Sequence, residues 1–214
     1  MKARERIRQS IESQISSGQL LPGDPVCEDA LITRFGVSRT PVREAMLQML
    51  AEGLLTSLPR GGMVVAKMSV GQLFSMWELL AELEGLCARY ACERMTREER
   101  LRLEALHQES EEAVLKNDEL GWQMANMAFH ECLYEGARNP YLRHEILRMR
   151  IRTQAYRKHA FAAVGRLNIS YRSHAQIVKA ILANNSAAAA RAAVKHMSPD
   201  AKDLVVNLPE NLLD

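Results

Sequence analysis

Between Ala3 and Ser17 the apolar residues Ile7, Ile11 and Ile15 recur every four positions. That recurrence draws one stripe along a helix, and Gly18 is a natural stop. Leu21-Pro22-Gly23-Asp24 has the chemistry of a turn, because proline fixes φ and glycine accepts positive φ, and Val26 opens a short connection. A short second helix is predicted over Glu28–Phe35. Gly36 permits a sharp reversal, Val37 fills the corner, and Ser38 or Thr40 can cap a third helix. The first turn of that helix tolerates Pro41, since amides there have no intrahelical partner. The helix should run to about Glu52, with Gly53 ending it. Two short strand-like runs, 54–58 and 63–66, flank the turn-rich Pro59-Arg60-Gly61-Gly62. Helix, helix, turn, helix, hairpin is the order of a winged helix-turn-helix, and it predicts a first domain over residues 1–66.

The pattern changes after Ala66. Ser69 can cap a long helix carrying Leu73, Trp77, Leu80, Leu83, Cys87 and Tyr90 at three- and four-residue spacing. From there almost every window reads helical, with breaks at Thr96, Asn117-Asp118, Gly136 to Pro140, near Gly165, at Asn184-Asn185 and at Pro199. Six or seven helices and no sheet are expected over residues 70–207, with a loose tail from Leu208. The chain is thus mainly α: a winged helix-turn-helix with a short β-hairpin wing, then an all-α antiparallel bundle.

Composition agrees with this division. The 214 residues exceed what one small core needs, and 47% hydrophobic with only 5% aromatic content fits helices better than a strand-rich sandwich. A formal charge of +2 excludes a polybasic coat, so any contact with nucleic acid must come from a few placed arginines. Cys27, Cys87, Cys92 and Cys132 form no CxxC pair and read as reduced thiols. No apolar run approaches the roughly 20 residues that span a bilayer, and Lys2, Arg4, Arg6 and Arg8 interrupt the start of the chain. A cytoplasmic protein without a membrane partner is expected.

In Phe35-Gly36-Val37-Ser38-Arg39-Thr40-Pro41-Val42-Arg43-Glu44-Ala45 the two arginines lie four apart and project from one face near a helix N-terminus. A recognition helix meets the major groove there, and an arginine can hold guanine O6 and N7 or grip a phosphate. The hydroxyls of Ser38 and Thr40 suit phosphate oxygens. Arg60, followed by two glycines, is placed to reach the backbone or minor groove. The plainer alternative pairs Arg39 and Arg43 with Glu44 and Asp29 in solvated salt bridges. The stretches GQLLPGD, FGVSRTPVREAM, AEGLL and PRGGMVV, in this order and spacing, resemble the N-terminal domain of the GntR superfamily. That resemblance implies double-stranded operator DNA as partner and Arg39, Thr40, Arg43 and Gly61 as contacts, with Arg34 as an addition.

All six histidines, His107, His130, His144, His159, His174 and His196, fall in the second domain. Asn126 and His130 lie on one helical face at i, i+4, and His174 and His196 fall on later helices with apolar neighbours. Such groups converging in a bundle would make a metal site suited to zinc, nickel or another ion that prefers imidazole; singly, each histidine reads as a surface or hydrogen-bonded core residue. AELEGLCARYACERMT, NMAFH, GARNPYL, SHAQIVKAI and AAVKHM resemble the FCD domain of FadR-like GntR regulators. The resemblance implies a metal-containing effector pocket with Asn126, His130, His174 and His196 at its ligand positions. Two departures stand out. Asn126 offers a neutral carbonyl where the family often has aspartate, which implies weaker metal affinity. Leu80 stands where relatives carry an arginine that holds an acidic effector, which turns attention to Arg148 and Arg152, one helical turn apart, for a small organic acid; the alternative is a solvated basic face.

These features describe a repressor, working as a homodimer so that two small recognition helices together supply specificity. Two other readings compete. A metal-dependent enzyme would need a general base, but Glu131 follows His130 directly and points about 100° away around the helix, and no GxSxG or phosphate-binding glycine loop is present. A constitutive DNA-binding protein would use the helical domain only to dimerise.

Overall fold

A computed structural model of the chain describes residues 2–160 and 166–198. The expected break near Gly165, the break at Pro199, the domain end at 207 and the tail from Leu208 lie outside the described residues. Two compact units emerge. The first runs through Leu73 and includes Ile151–Ala160; the second runs from Phe74 to Arg150 and includes the last two helices.

In the first unit, α1 (Ala3–Ser17), α2 (Glu28–Phe35) and α3 (Arg39–Ala51) are joined by a small antiparallel sheet of β1 (Pro25–Val26), β2 (Leu55–Ser57) and β3 (Met63–Val65). The stripe that predicted α1 is its buried face: Ile7 and Ile11 are fully enclosed and Ile15 nearly so. They meet Leu31, Val42, Ala45, Met46 and Met49 from α2 and α3. Each such aliphatic side chain contributes about 1.5–3 kcal/mol of transfer free energy, which fixes how α3 is presented. An ionic tie adds direction: Arg8 donates at 2.7 Å to both Glu12 and Glu52, joining α1 to the C-terminal end of α3. The αL residue Gly36 ends α2, with its amide donating to the Ile32 carbonyl.

The sheet contains one strand more than the periodicity predicts. Pro25 and Val26, read as a connection, pair with Val64 and Met63, so the strand order is β1-β3-β2. Two residues are too short to show alternation, and only the ladder on β3 makes them a strand. The hairpin closes as expected, with Leu55, Thr56 and Ser57 opposite Val65, Val64 and Met63.

The second unit is helical among the described residues. α4 (Val70–Arg94) opens on a reciprocal cap, where Gln72 takes the Ser69 amide and Ser69 Oγ takes the Gln72 amide. α5 (Arg97–Glu109) starts on a Thr96–Glu99 capping box. The short α6 (Glu111–Leu115) interrupts at Ser110, a break the sequence pattern does not announce. α7 (Glu119–Gly136), α8 (Pro140–Ala160), α9 (Arg166–Leu182) and α10 (Ser186–Met197) follow. Asp118 and Asn185, at two of the expected breaks, cap α7 and α10 by accepting from Gly121 and Ala188 amides. α9 packs on α10 and α5, and α5 packs on α7. No helix among the described residues is long and apolar enough to cross a membrane.

Candidate DNA interface and histidine centre

Helix α3 has two chemically distinct faces. Val42, Ala45, Met46 and Met49 are buried in the core, while Ser38, Arg39, Thr40 and Arg43 are exposed on the opposite side at its N-terminal end. Arg34, at the end of α2, and Arg60 and Gly61, at the wing tip, are exposed as well. Ser38 holds the N-cap position, but its hydroxyl makes no capping bond. The wing turn is closed by the Gly61 amide on Leu58 O and the Leu58 amide on Gly62 O, each at 3.0 Å. Gly61 has φ of 89°, where a side chain would be strained, so the tip stays narrow.

The arginines of α3 are oriented by acids of α2. Arg43 Nε lies 2.8 Å from Glu28 Oε1, and Arg39 Nη2 lies 3.2 Å from Asp29 Oδ1. The expected partnership with Asp29 is present, and Glu28 takes the place foreseen for Glu44. Both guanidinium groups keep about 60% of their side-chain surface exposed, at 60% and 61%. Ion pairs this open contribute only about 0–1 kcal/mol, so they aim the arginines without holding them against a phosphate or a base edge.

The second unit gathers three histidines from three helices. His130 of α7 and His174 of α9 are buried and His196 of α10 is half-buried. Each offers one ring nitrogen, and these atoms lie within 4.8 Å of one another. His174 Nε2 and His196 Nε2 are 3.2 Å apart. Phe129 stacks on His174 at 4.1 Å between centroids, with Trp122 at 5.5 Å. Burial, then the neighbouring imidazoles and the Arg150 charge, hold His174 well below the usual imidazole range, so it is neutral at physiological pH. Imidazoles enclosed this closely are a donor set that fits a divalent ion of the zinc or nickel type. Asn126 lies one turn before His130 on α7, half-buried, where its carbonyl could join the set.

Two residues absent from the expected site stand directly behind it. Glu84, buried in α4, has its carboxylate 3.6 Å from His130 Nδ1, 2.9 Å from Arg150 Nε and 2.6 Å from the Tyr134 hydroxyl, which donates to it. Burial alone would raise this carboxyl, but Arg150, His130 and Tyr134 together hold it well below the usual carboxylate range. Glu84 is therefore an anion with three partners. The same residues leave Arg150 charged, and its Nη2 also approaches Met197 Sδ at 3.9 Å.

This changes which arginine faces the histidines. Arg148, expected to hold an effector, pairs with Glu145 at 3.3 Å on a partly exposed surface. Arg152 belongs to the first unit, its guanidinium beside Gly53. Arg150 is two residues from each, about 200° around α8, and shares its face with the fully buried Ile146 and Thr153. A charge inside an apolar stripe is the signal that could have found both partners: Glu84 falls between Leu80 and Cys87, and Arg150 between Ile146 and Thr153.

Residues 3–65 match the model of bacterial regulatory proteins of the gntR family, and residues 75–199 match the FCD domain. Among curated relatives, the HTH-type transcriptional regulator YdhC of Bacillus subtilis is 26% identical over 91% of this chain and 87% of its own length. The HTH-type transcriptional repressor RspR of Escherichia coli is 27% identical over 83% of the chain and 78% of its own. Among solved structures, E. coli McbR/YncC superposes with a TM-score of 0.81 at 22% identity, covering 96% of this chain and 98% of that one, a likeness of fold. The narrow wing, the outward arginines of α3 and a helical domain matched over most of its length converge on one assignment: the chain belongs to the GntR family, a DNA-binding transcription regulator with an FCD domain and not an enzyme.

Proposed function

We propose that this regulator is a cytoplasmic, homodimeric repressor whose operator affinity is set by a small organic acid bound at the histidine centre of the FCD domain. The observation that carries this reading is the meeting of three buried or half-buried imidazoles with a buried, charged arginine that reaches them through Glu84. His130, His174 and His196 would hold a zinc or nickel ion, with Asn126 as a neutral fourth donor. Bound there, the ion would supply a positive centre for a carboxylate oxygen. Arg150 adds a second positive charge on the same side, already balanced by Glu84, so an acidic effector would compete with Glu84 for the guanidinium. Seven exposed residues, Arg34, Ser38, Arg39, Thr40, Arg43, Arg60 and Gly61, form the surface offered to operator DNA.

The test uses an operator selected in vitro from random duplexes, with zinc, nickel and a library of small carboxylates as ligands. Zinc or nickel should bind at about one ion per chain and raise the thermal midpoint, because only the folded state presents the site. A matching acid should then weaken operator binding by a coupling of about 1–3 kcal/mol, and His174→Ala should abolish metal binding and the response together. A response to acid that survives in the His130→Ala, His174→Ala, His196→Ala triple variant would overturn the metal-centred reading.

A further inference from the structure

The hydrogen bonds around His196 assign its proton. Ser173 Oγ lies 2.7 Å from the Ser170 carbonyl oxygen and 2.6 Å from His196 Nδ1. A hydroxyl has one proton, and a carbonyl oxygen has none to give. Were the Ser173 proton directed at His196, two oxygens would face each other at 2.7 Å with lone pairs only. The arrangement that satisfies both contacts has Ser173 donating to Ser170 O and accepting from a protonated Nδ1. The neutral ring then carries its lone pair on Nε2, the atom 3.2 Å from His174 Nε2.

We propose that Ser173 is a positioning residue: seated on the Ser170 carbonyl, it locks His196 in the Nδ1–H tautomer and turns the Nε2 lone pair into the cluster. The same accounting makes His174 the donor across the 3.2 Å contact, with its own proton on Nε2. His196 is thereby ready to bind a cation through Nε2, whereas His174 must first exchange to the tautomer with its proton on Nδ1. The lone pair is supplied by a local bond within α9 and across to α10, so it is in place before any ion arrives. The consequence for a cation rests on the reading of the centre as a metal site; the tautomer does not.

The closing experiment therefore starts from metal-free, chelator-treated full-length protein with ¹⁵N-labelled histidine, at about pH 8, above the ordinary imidazole range. Long-range ¹H–¹⁵N spectra should show His196 protonated at Nδ1 in the wild type. Ser173→Ala should abolish that preference, giving a mixture or the Nε2–H form, and Ser173→Thr should restore it, because a threonine hydroxyl in a helix can also bond the carbonyl three or four residues back. Alanine is the better helix former, so loss of fold is not the expected effect. In zinc titrations Ser173→Ala should bind about 10- to 100-fold more weakly than wild type, with Ser173→Thr close to wild type. An Nε2–H ring at His196 in the wild type, or a tautomer unmoved by Ser173→Ala, would overturn the inference. The predicted tautomers with no zinc bound by any variant would uphold the role of Ser173 and overturn the metal reading alone.

Discussion

On the proposed reading, single side chains would divide the work of DNA recognition by where their charge can go. Arg43 stands on the exposed face of α3, held loosely by Glu28, and is free to exchange a carboxylate for a guanine edge. Arg60 stands exposed on a glycine-backed tip, where the proposal has it meet the backbone or the minor groove. Arg43→Ala should accordingly cost about 1–3 kcal/mol on the selected operator and much less on unrelated duplexes, relaxing sequence preference. Arg60→Ala should weaken both alike and reduce the salt slope by about one unit, as loss of one phosphate contact does. Fluorescence anisotropy at several salt concentrations separates the two, and unchanged operator binding by Arg43→Ala would remove α3 from the role of reader. That Arg39 and Arg43 share an exposed face of α3 was legible in the sequence, because their four-residue spacing is a property of the helix they sit on. Glu28 was not, since its pairing with Arg43 depends on how α2 lies across α3.

At the level of helices, close approach and capping decide the geometry of the second unit. A Cβ on Gly85 of α4 would fall 2.5 Å from Val194 Cγ2 and 3.2 Å from the Ala190 carbonyl oxygen of α10. One methyl therefore has room only if Val194 turns away or α10 shifts, and α10 carries His196. Gly85→Ala should gain a little helix propensity yet lose about 1–3 kcal/mol net through overpacking. Because a shift of α10 would carry a cluster residue with it, zinc affinity should fall with stability. Urea unfolding with a zinc titration checks both, and a variant as stable as wild type would show that α10 yields at no cost. Arg100 of α5 works in the opposite sense, tying elements together. It donates to Cys92 O at 2.6 Å, Ile181 O at 2.7 Å and Asn184 Oδ1 at 3.0 Å, satisfying carbonyls in the last turns of α4 and α9. Helix order and most boundaries are visible in periodicity and caps. The contact at Gly85 is not, because a glycine inside a helix reads only as a weak position until its neighbour is known.

For the molecule as a whole, one recognition helix of 13 residues reads too few base pairs to select an operator. Two copies spaced about one turn of duplex would read an inverted repeat, so the selected operator should be palindromic and light scattering should give a dimer bound to it. A strict monomer at micromolar concentration, with and without DNA, would overturn this expectation. What the sequence by itself determined was the part of the design that is local: the stripe of α1, the turn before α3, the glycine-tipped wing, and three histidines on three amphipathic helices. Each is set by residues within a few positions of one another, where helical period and turn chemistry act directly. The tertiary structure alone decided which charges meet. Glu84 and Tyr134, fifty positions apart, share a bond at 2.6 Å, Arg150 and not Arg148 turns inward, and two residues at 25–26 become a strand by pairing with β3. The reason is physical: the burial that makes such ionic contacts strong comes from elements distant in sequence packing around them, and no single segment carries that environment within itself.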